Sequence, residues 1–118
     1  MRLPIQYALY YPERRFLAGD RVDFGKIARI TFENPDTDNF IGLKLAYEAG
    51  RIGGSMPTVF NAANELAVKM FLQEKIGFLD IYEIIGQSME RHHVTQNPDL
   101  DEILEVENET YKWIESRW

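Results

Sequence analysis

The feature that most constrains the fold is the helical spacing of apolar residues from position 38 onward. A helix that buries one face repeats its apolar residues every three or four positions. Pro57 lies where the first turn of the clearest segment would be, and Gly77 follows its end, as helix boundaries require. The apolar stripe of that segment consists of Val59, Ala63, Leu66, Ala67 and Met70.

Capping residues and turns divide this region into several helices. Asp38 and Ser55 are predicted N-caps, and Asp80 with Glu83 has the spacing of a capping box. Helices joined by such short loops indicate a helical bundle. The predicted helices run over about 39–52, from Ser55 to Lys75, from Asp80 to Arg91, over 99–104 and from Asn108 to the end.

The region before position 38 has a mixed pattern. A short helix is predicted from Ile5 to Tyr11, and the segment Arg29–Glu33 alternates apolar and polar residues as a half-buried strand does. Because one strand cannot satisfy its own backbone groups, this strand is expected to join a sheet formed elsewhere. The alternative is an extended coil packed against the helices.

The predicted fold class is therefore mainly α. It comprises a C-terminal helical bundle over 38–118, preceded by a short mixed segment over 1–37 that contains one β-strand. The 118 residues are enough to form a buried core without the help of disulfides or a structural metal.

Composition excludes several classes of function. The chain has no cysteine, which removes disulfides, thiolate metal sites and cysteine nucleophiles. Its net charge is −6 and its basic residues are scattered, so no nucleic-acid partner is expected. No apolar run approaches the roughly 20 residues that span a bilayer, so no membrane partner is expected. A cytoplasmic location is the expectation.

Three polar residues are the strongest candidates for a site in the helical region. Asn61, Asn64 and Glu65 lie in the middle of a predicted helix, where asparagine is an unfavourable residue. Asn61 and Glu65 are four positions apart and share a face. A structural role, fastening neighbouring loops or helix ends, is favoured over a polar functional site.

No catalytic or metal-binding constellation can be assembled from the remaining residues. His92 and His93 are adjacent, so on a helix their side chains would point about 100° apart and would not chelate one metal easily. They are interpreted as helix-end residues that interact with terminal carbonyl groups. The sequence therefore offers no candidate catalytic residue and no candidate metal ligand in this chain.

Several ordered segments resemble the family of 1-deoxy-D-xylulose-5-phosphate reductoisomerases, specifically the last third of those enzymes. The similarity covers essentially the whole chain. The segments are Met-Arg-x-Pro-Ile-x-Tyr-Ala-Leu at Met1–Leu9, Tyr-Pro-x-Arg at Tyr11–Arg14, Val22-Asp-Phe, Ile30-Thr-Phe-Glu-x-Pro-Asp36, Leu43-x-Leu-Ala, Asn-Ala-Ala-Asn-Glu at Asn61–Glu65, Phe78-x-Asp-Ile81 and Leu100-x-x-Ile-Leu104.

The resemblance implies a concrete activity for an intact enzyme. Members convert 1-deoxy-D-xylulose 5-phosphate to 2-C-methyl-D-erythritol 4-phosphate in the non-mevalonate route to isoprenoids, using NADPH and a divalent metal, Mg²⁺ or Mn²⁺. The metal acts as a Lewis acid and template. The implied architecture is an NADPH-binding domain, a central catalytic domain that forms a homodimer, and a C-terminal helical bundle.

The segments that would carry this chemistry are missing from the chain. The family's glycine-rich nucleotide loop, its metal-binding segments and its lid have no counterpart here. Met1 alone is implied to lie near the nicotinamide of NADPH. The expected function is structural support for the upstream domains of the same enzyme, with no turnover and no NADPH or metal binding by the chain alone. The alternative is a stand-alone helical module that binds another protein.

Overall fold

The computed structural model describes all 118 residues and contains two compact units, Met1–Glu33 and Asn34–Trp118. The first is small and irregular, and the second is a helical bundle. We refer to them as the N-terminal unit and the helical unit. The domain division predicted at residue 37 stays a prediction.

The N-terminal unit contains two short helices and no buried side chain. Helix α1 spans Arg2–Tyr10 and helix α2 spans Phe24–Ile27. The proline at position 4 fits the first turn of α1, where its missing N–H costs nothing. Local contacts hold the unit together, including the guanidinium of Arg14, which lies 4.5 Å from the centre of the Tyr7 ring. The unit thus has helices but no core.

The prediction of a strand over Arg29–Glu33 is wrong. These residues are irregular coil without a ladder partner, and the chain contains no β-strand. The alternating pattern is present, but Ile30 and Phe32 are 60% and 92% exposed. A strand needs a second strand to accept and donate its backbone hydrogen bonds, and the chain supplies none.

The helical unit is built around one central helix. Helix α3 spans Gly42–Ile52, α4 spans Met56–Leu72, α5 spans Asp80–Arg91 and α6 spans Leu100–Glu115. Helix α4 packs against each of the other three. The buried core contains Ala49, Met56, Val59, Ala63, Ala67, Met70, Ile81, Ile84, Ile85, Met89, Val106 and Ile114.

Helix α6 replaces the two helices predicted for the last part of the chain. No glycine or proline interrupts the segment between Leu104 and Asn108, and Val106 in that segment is buried against the core. Burial of an apolar face favours continuing the helix over a break. Asp99 starts α6 with a complete capping box, in which its side chain and that of Glu102 each accept a backbone N–H.

Of the three N-caps predicted earlier in the chain, only Ser55 lies at the predicted position, directly before α4, and its side chain does not cap the helix. Asp38 accepts a hydrogen bond from Lys44 Nζ at 2.8 Å instead, and Asp80 accepts one from the backbone N–H of Gly77 at 2.7 Å. Helix α3 begins only at Gly42, because the Asp36 carboxylate binds the N–H groups of residues 38 and 39 and holds a turn there. The side chain of Ser55 makes different contacts, described below.

Candidate functional site

The predicted polar residues lie on the face of α4 that points away from the core. Asn61 and Glu65 are exposed and Asn64 is half-buried. At about 100° per residue, Asn61 and Glu65 are separated by only about 40° around the helix. Val68 and Leu72 continue the same stripe and are 36% and 74% exposed. We call Asn61, Glu65, Val68 and Leu72 the outer stripe of α4.

The polar side chains of the outer stripe have no hydrogen-bond partner within the chain, and neither does Asn64. Glu65 acts only at a distance, on Tyr111 of α6. The pKa of that phenol is raised chiefly by burial, then by its hydrogen bond to Glu107, with a smaller contribution from Glu65. The structural role predicted for Asn61, Asn64 and Glu65 therefore stays a prediction.

Met1, the residue implied to lie near a nicotinamide, belongs to the N-terminal unit. It precedes α1, and its carbonyl oxygen accepts a hydrogen bond from the backbone N–H of Ile5 at 3.4 Å. Its side chain is 93% exposed. The implied contact with the cofactor stays a prediction.

No group of three or more histidine, aspartate or glutamate side chains is arranged to hold a metal ion. None of the helices is both long enough and apolar enough to cross a membrane.

One polar cluster escaped the sequence analysis. Ser55 is fully buried at the corner between α3 and α4, and its Oγ lies 2.7 Å from His92 Nε2 and 2.9 Å from the backbone nitrogen of Thr95, which donates to it. The backbone N–H of Ser55 in turn donates to the carbonyl oxygen of Thr95 at 2.9 Å. The corner is thus joined to the loop between α5 and α6.

The interpretation of His92 as a residue that binds helix-end carbonyls is wrong. It follows the last residue of α5 with an extended backbone, and its ring turns toward Ser55. The two residues are 37 positions apart, so no local pattern could have connected them. The signal that was available is Gly54 directly before Ser55, whose missing side chain lets the backbone approach the α5–α6 loop closely.

The other side of His92 faces an open cleft of about 330 Å³ between α5 and α6. Burial of the ring lowers the pKa of His92 below its ordinary value, and the positive charge of Arg91 adds to this effect. Glu109 on α6 opposes it, and His93 adds a small decrease. Both acidic and basic side chains line the cleft.

The fold is a helical unit that follows a small N-terminal unit in the chain. A family model described as the DXP reductoisomerase C-terminal domain matches residues 1–113. The chain belongs to this family.

The similar proteins are much longer than the chain. The 1-deoxy-D-xylulose 5-phosphate reductoisomerase of Lachnoclostridium phytofermentans is 62% identical over 116 residues, which are 98% of this chain and 30% of that protein. That of Agathobacter rectalis is 54% identical over 118 residues, 100% of this chain and 31% of that protein. The chain therefore spans about 30% of the length of the curated relatives it matches.

A solved structure gives the same result for the fold. The 1-deoxy-D-xylulose 5-phosphate reductoisomerase from Zymomonas mobilis, in complex with NADPH, superimposes with a TM-score of 0.80 at 36% sequence identity. The match covers 98% of this chain and 30% of that one. The family resemblance seen in the sequence is confirmed.

Proposed function

We propose that the chain is the structural C-terminal part of an NADPH-dependent reductoisomerase that converts 1-deoxy-D-xylulose 5-phosphate to 2-C-methyl-D-erythritol 4-phosphate. The observation that carries this proposal is the family match over residues 1–113, with relatives of which the chain covers only about 30%. The helical unit braces the domains that perform the chemistry. The chain alone neither turns over substrate nor binds NADPH or metal.

The cofactors and partners follow from this role. NADPH and Mg²⁺ or Mn²⁺ serve the intact enzyme, and the metal ligands come from outside this chain, since its own carboxylates and histidines form no metal-binding group. The partners are the upstream NADPH-binding and catalytic domains of the same protein, in a cytoplasmic homodimer. Met1 is the one residue of this chain that we place near the nicotinamide.

The outer stripe of α4 is the surface that we assign to contact with the upstream domains. An asparagine in a helix interior costs stability relative to alanine, and the side chains of Asn61 and Glu65 regain nothing within the chain. Their hydrogen-bonding capacity remains available to groups outside it. Val68 and Leu72 add exposed apolar surface to the same stripe. This combination suits a partly polar interface between domains of one enzyme.

A chimera tests the proposed function. In the Lachnoclostridium phytofermentans relative, the matching region is replaced by this chain, and NADPH oxidation is followed with 1-deoxy-D-xylulose 5-phosphate and Mg²⁺. We expect turnover comparable to that of the relative, because the exchanged region is 62% identical. The relative without this region and the 118-residue chain alone should both be inactive. A folded but inactive chimera would contradict the proposal and favour a stand-alone interaction module.

A double substitution tests the role of the outer stripe. We expect N61A with E65A to lower turnover of the chimera by about tenfold, which corresponds to about 1.4 kcal/mol of lost interaction. The stability of the chain alone should stay unchanged or rise slightly, because alanine is the better helix former. The matched control is E90A on the exposed side of α5, which should leave both quantities unchanged. Equal loss of activity in the control would overturn the assignment.

A further inference from the structure

The Ser55 hydroxyl group has two hydrogen-bond partners, and only one assignment of donor and acceptor satisfies both. Its oxygen already accepts from the backbone N–H of Thr95, so the hydroxyl proton needs an acceptor. The side chain is fully buried, which excludes water as that acceptor. The remaining partner is His92 Nε2 at 2.7 Å, which must therefore present its lone pair. The ring is then neutral and carries its proton on Nδ1.

Protonation of His92 reverses the direction of this hydrogen bond. An imidazolium ring has a proton on both nitrogen atoms and cannot accept. Ser55 would then keep a buried hydroxyl proton without a partner, and a buried donor left unpaired is costly. The conflict is relieved when the contact between Ser55 and His92 breaks, which removes one of the contacts that join the corner between α3 and α4 to the α5–α6 loop.

The charged groups around His92 do not remove this conflict. Arg91 and His93, next to the ring in sequence, disfavour its protonation, whereas Glu109 on α6 favours it. The corner between α3 and α4 contributes no charged group to the surroundings of the ring, only the Ser55 hydroxyl. Glu102 and Glu105 line the cleft on its far side and belong to the exposed surface of α6. Burial outweighs the favourable carboxylate.

We propose that Ser55 and His92 form a pH-sensitive latch, which strengthens the attachment of the corner between α3 and α4 to the α5–α6 loop while His92 is neutral and weakens it when His92 is protonated. The Ser55 hydroxyl binds the neutral imidazole ring of His92, and the signal to which the latch responds is the binding of a proton to that ring. The device lies within the helical unit and is separate from the outer stripe of α4.

The direction of the pH effect follows from linkage. The pKa of His92 in the folded chain lies below the ordinary value of 6.5, so the unfolded chain binds the proton first as the pH falls. The latch therefore contributes its full stability above pH 6.5, and this contribution declines as the pH drops from 6.5 to the folded pKa. Each unit of difference between the two pKa values makes the folding equilibrium constant about tenfold smaller at low pH.

Urea unfolding of the 118-residue chain between pH 8 and pH 5.5, followed by circular dichroism, tests the proposal. We expect the urea concentration at the unfolding midpoint of the wild-type chain to decrease as the pH is lowered through this range. The H92Q variant should hold its midpoint, because a glutamine oxygen accepts from Ser55 and does not titrate. The control H93Q, which removes the exposed neighbouring imidazole, should retain the decline. Equal declines in the wild-type and H92Q chains would overturn the latch.

A spectroscopic measurement decides the question even if a variant fails to fold. Long-range ¹H–¹⁵N correlation spectra of the wild-type chain at pH 8 distinguish which ring nitrogen carries the proton. We expect the Nδ1–H tautomer for His92, as the acceptor role of Nε2 requires. An Nε2–H tautomer would mean that His92 donates to Ser55, and would contradict the proposal.

Discussion

Replacing Gly54 by alanine is expected to lower the free energy of unfolding by about 3 kcal/mol. Gly54 has a φ of +55°, where a side chain costs about 1–2 kcal/mol. A methyl group there would also overlap the carbonyl oxygen of Thr95 and lie 2.9 Å from Cγ1 of Val94. Overpacking of this kind adds about 1–3 kcal/mol, and backbone atoms cannot move aside as a flexible side chain can. Urea unfolding measures the change.

Gly86 provides the matched control. It lies inside α5, and an added methyl group there would meet no atom within 4 Å. We expect G86A to stabilise the chain by up to about 1 kcal/mol, because alanine is the better helix former. If G54A left the unfolding midpoint unchanged, the close packing of the corner onto the α5–α6 loop would be contradicted, and the latch would lose its basis.

Replacing Ile84 by alanine is expected to have the other large effect. We expect the free energy of unfolding to fall by about 3–4 kcal/mol. Ile84 is fully buried in α5, within the core cluster that α4 shares. Replacement by alanine loses the transfer free energy of the removed carbons and leaves a cavity, since the surrounding helices relax only partly. Against the 5–15 kcal/mol typical of a domain, I84A should bring the chain close to its unfolding threshold.

The control for this prediction is L79A. Leu79 precedes the first residue of α5 and is 68% exposed, so its truncation removes little buried surface. We expect the free energy of unfolding of L79A to differ from that of the wild-type chain by no more than about 0.5 kcal/mol in either direction. A loss at Leu79 equal to that at Ile84 would contradict the placement of the core.

Periodicity predicted most of the helical unit correctly. Val59, Ala63, Ala67 and Met70 form the buried face of α4, as their spacing indicates, and Leu66 packs partly buried beside them. The apolar residues Ile81, Ile84, Ile85 and Met89 of α5 are buried in the same way. Such patterns are reliable because a packed helix buries one face along its whole length.

Features that depend on distant partners were not predictable in this way. Asp80 and Glu83 have the spacing of a capping box, yet Asp80 binds the N–H of Gly77, a choice that depends on the backbone path of the preceding turn. The segment Arg29–Glu33 has the alternation of a strand but no neighbouring strand to pair with, and it is coil. The contact between Ser55 and His92 exists only once three helices are packed.

The position of Trp113 on α6 has a practical consequence. Its ring packs partly buried against the core and is flanked by the guanidinium groups of Arg91 at 4.9 Å and Arg117 at 5.1 Å. Trp118, the only other tryptophan, also belongs to the helical unit. The tryptophan fluorescence of this chain therefore comes from the helical unit alone.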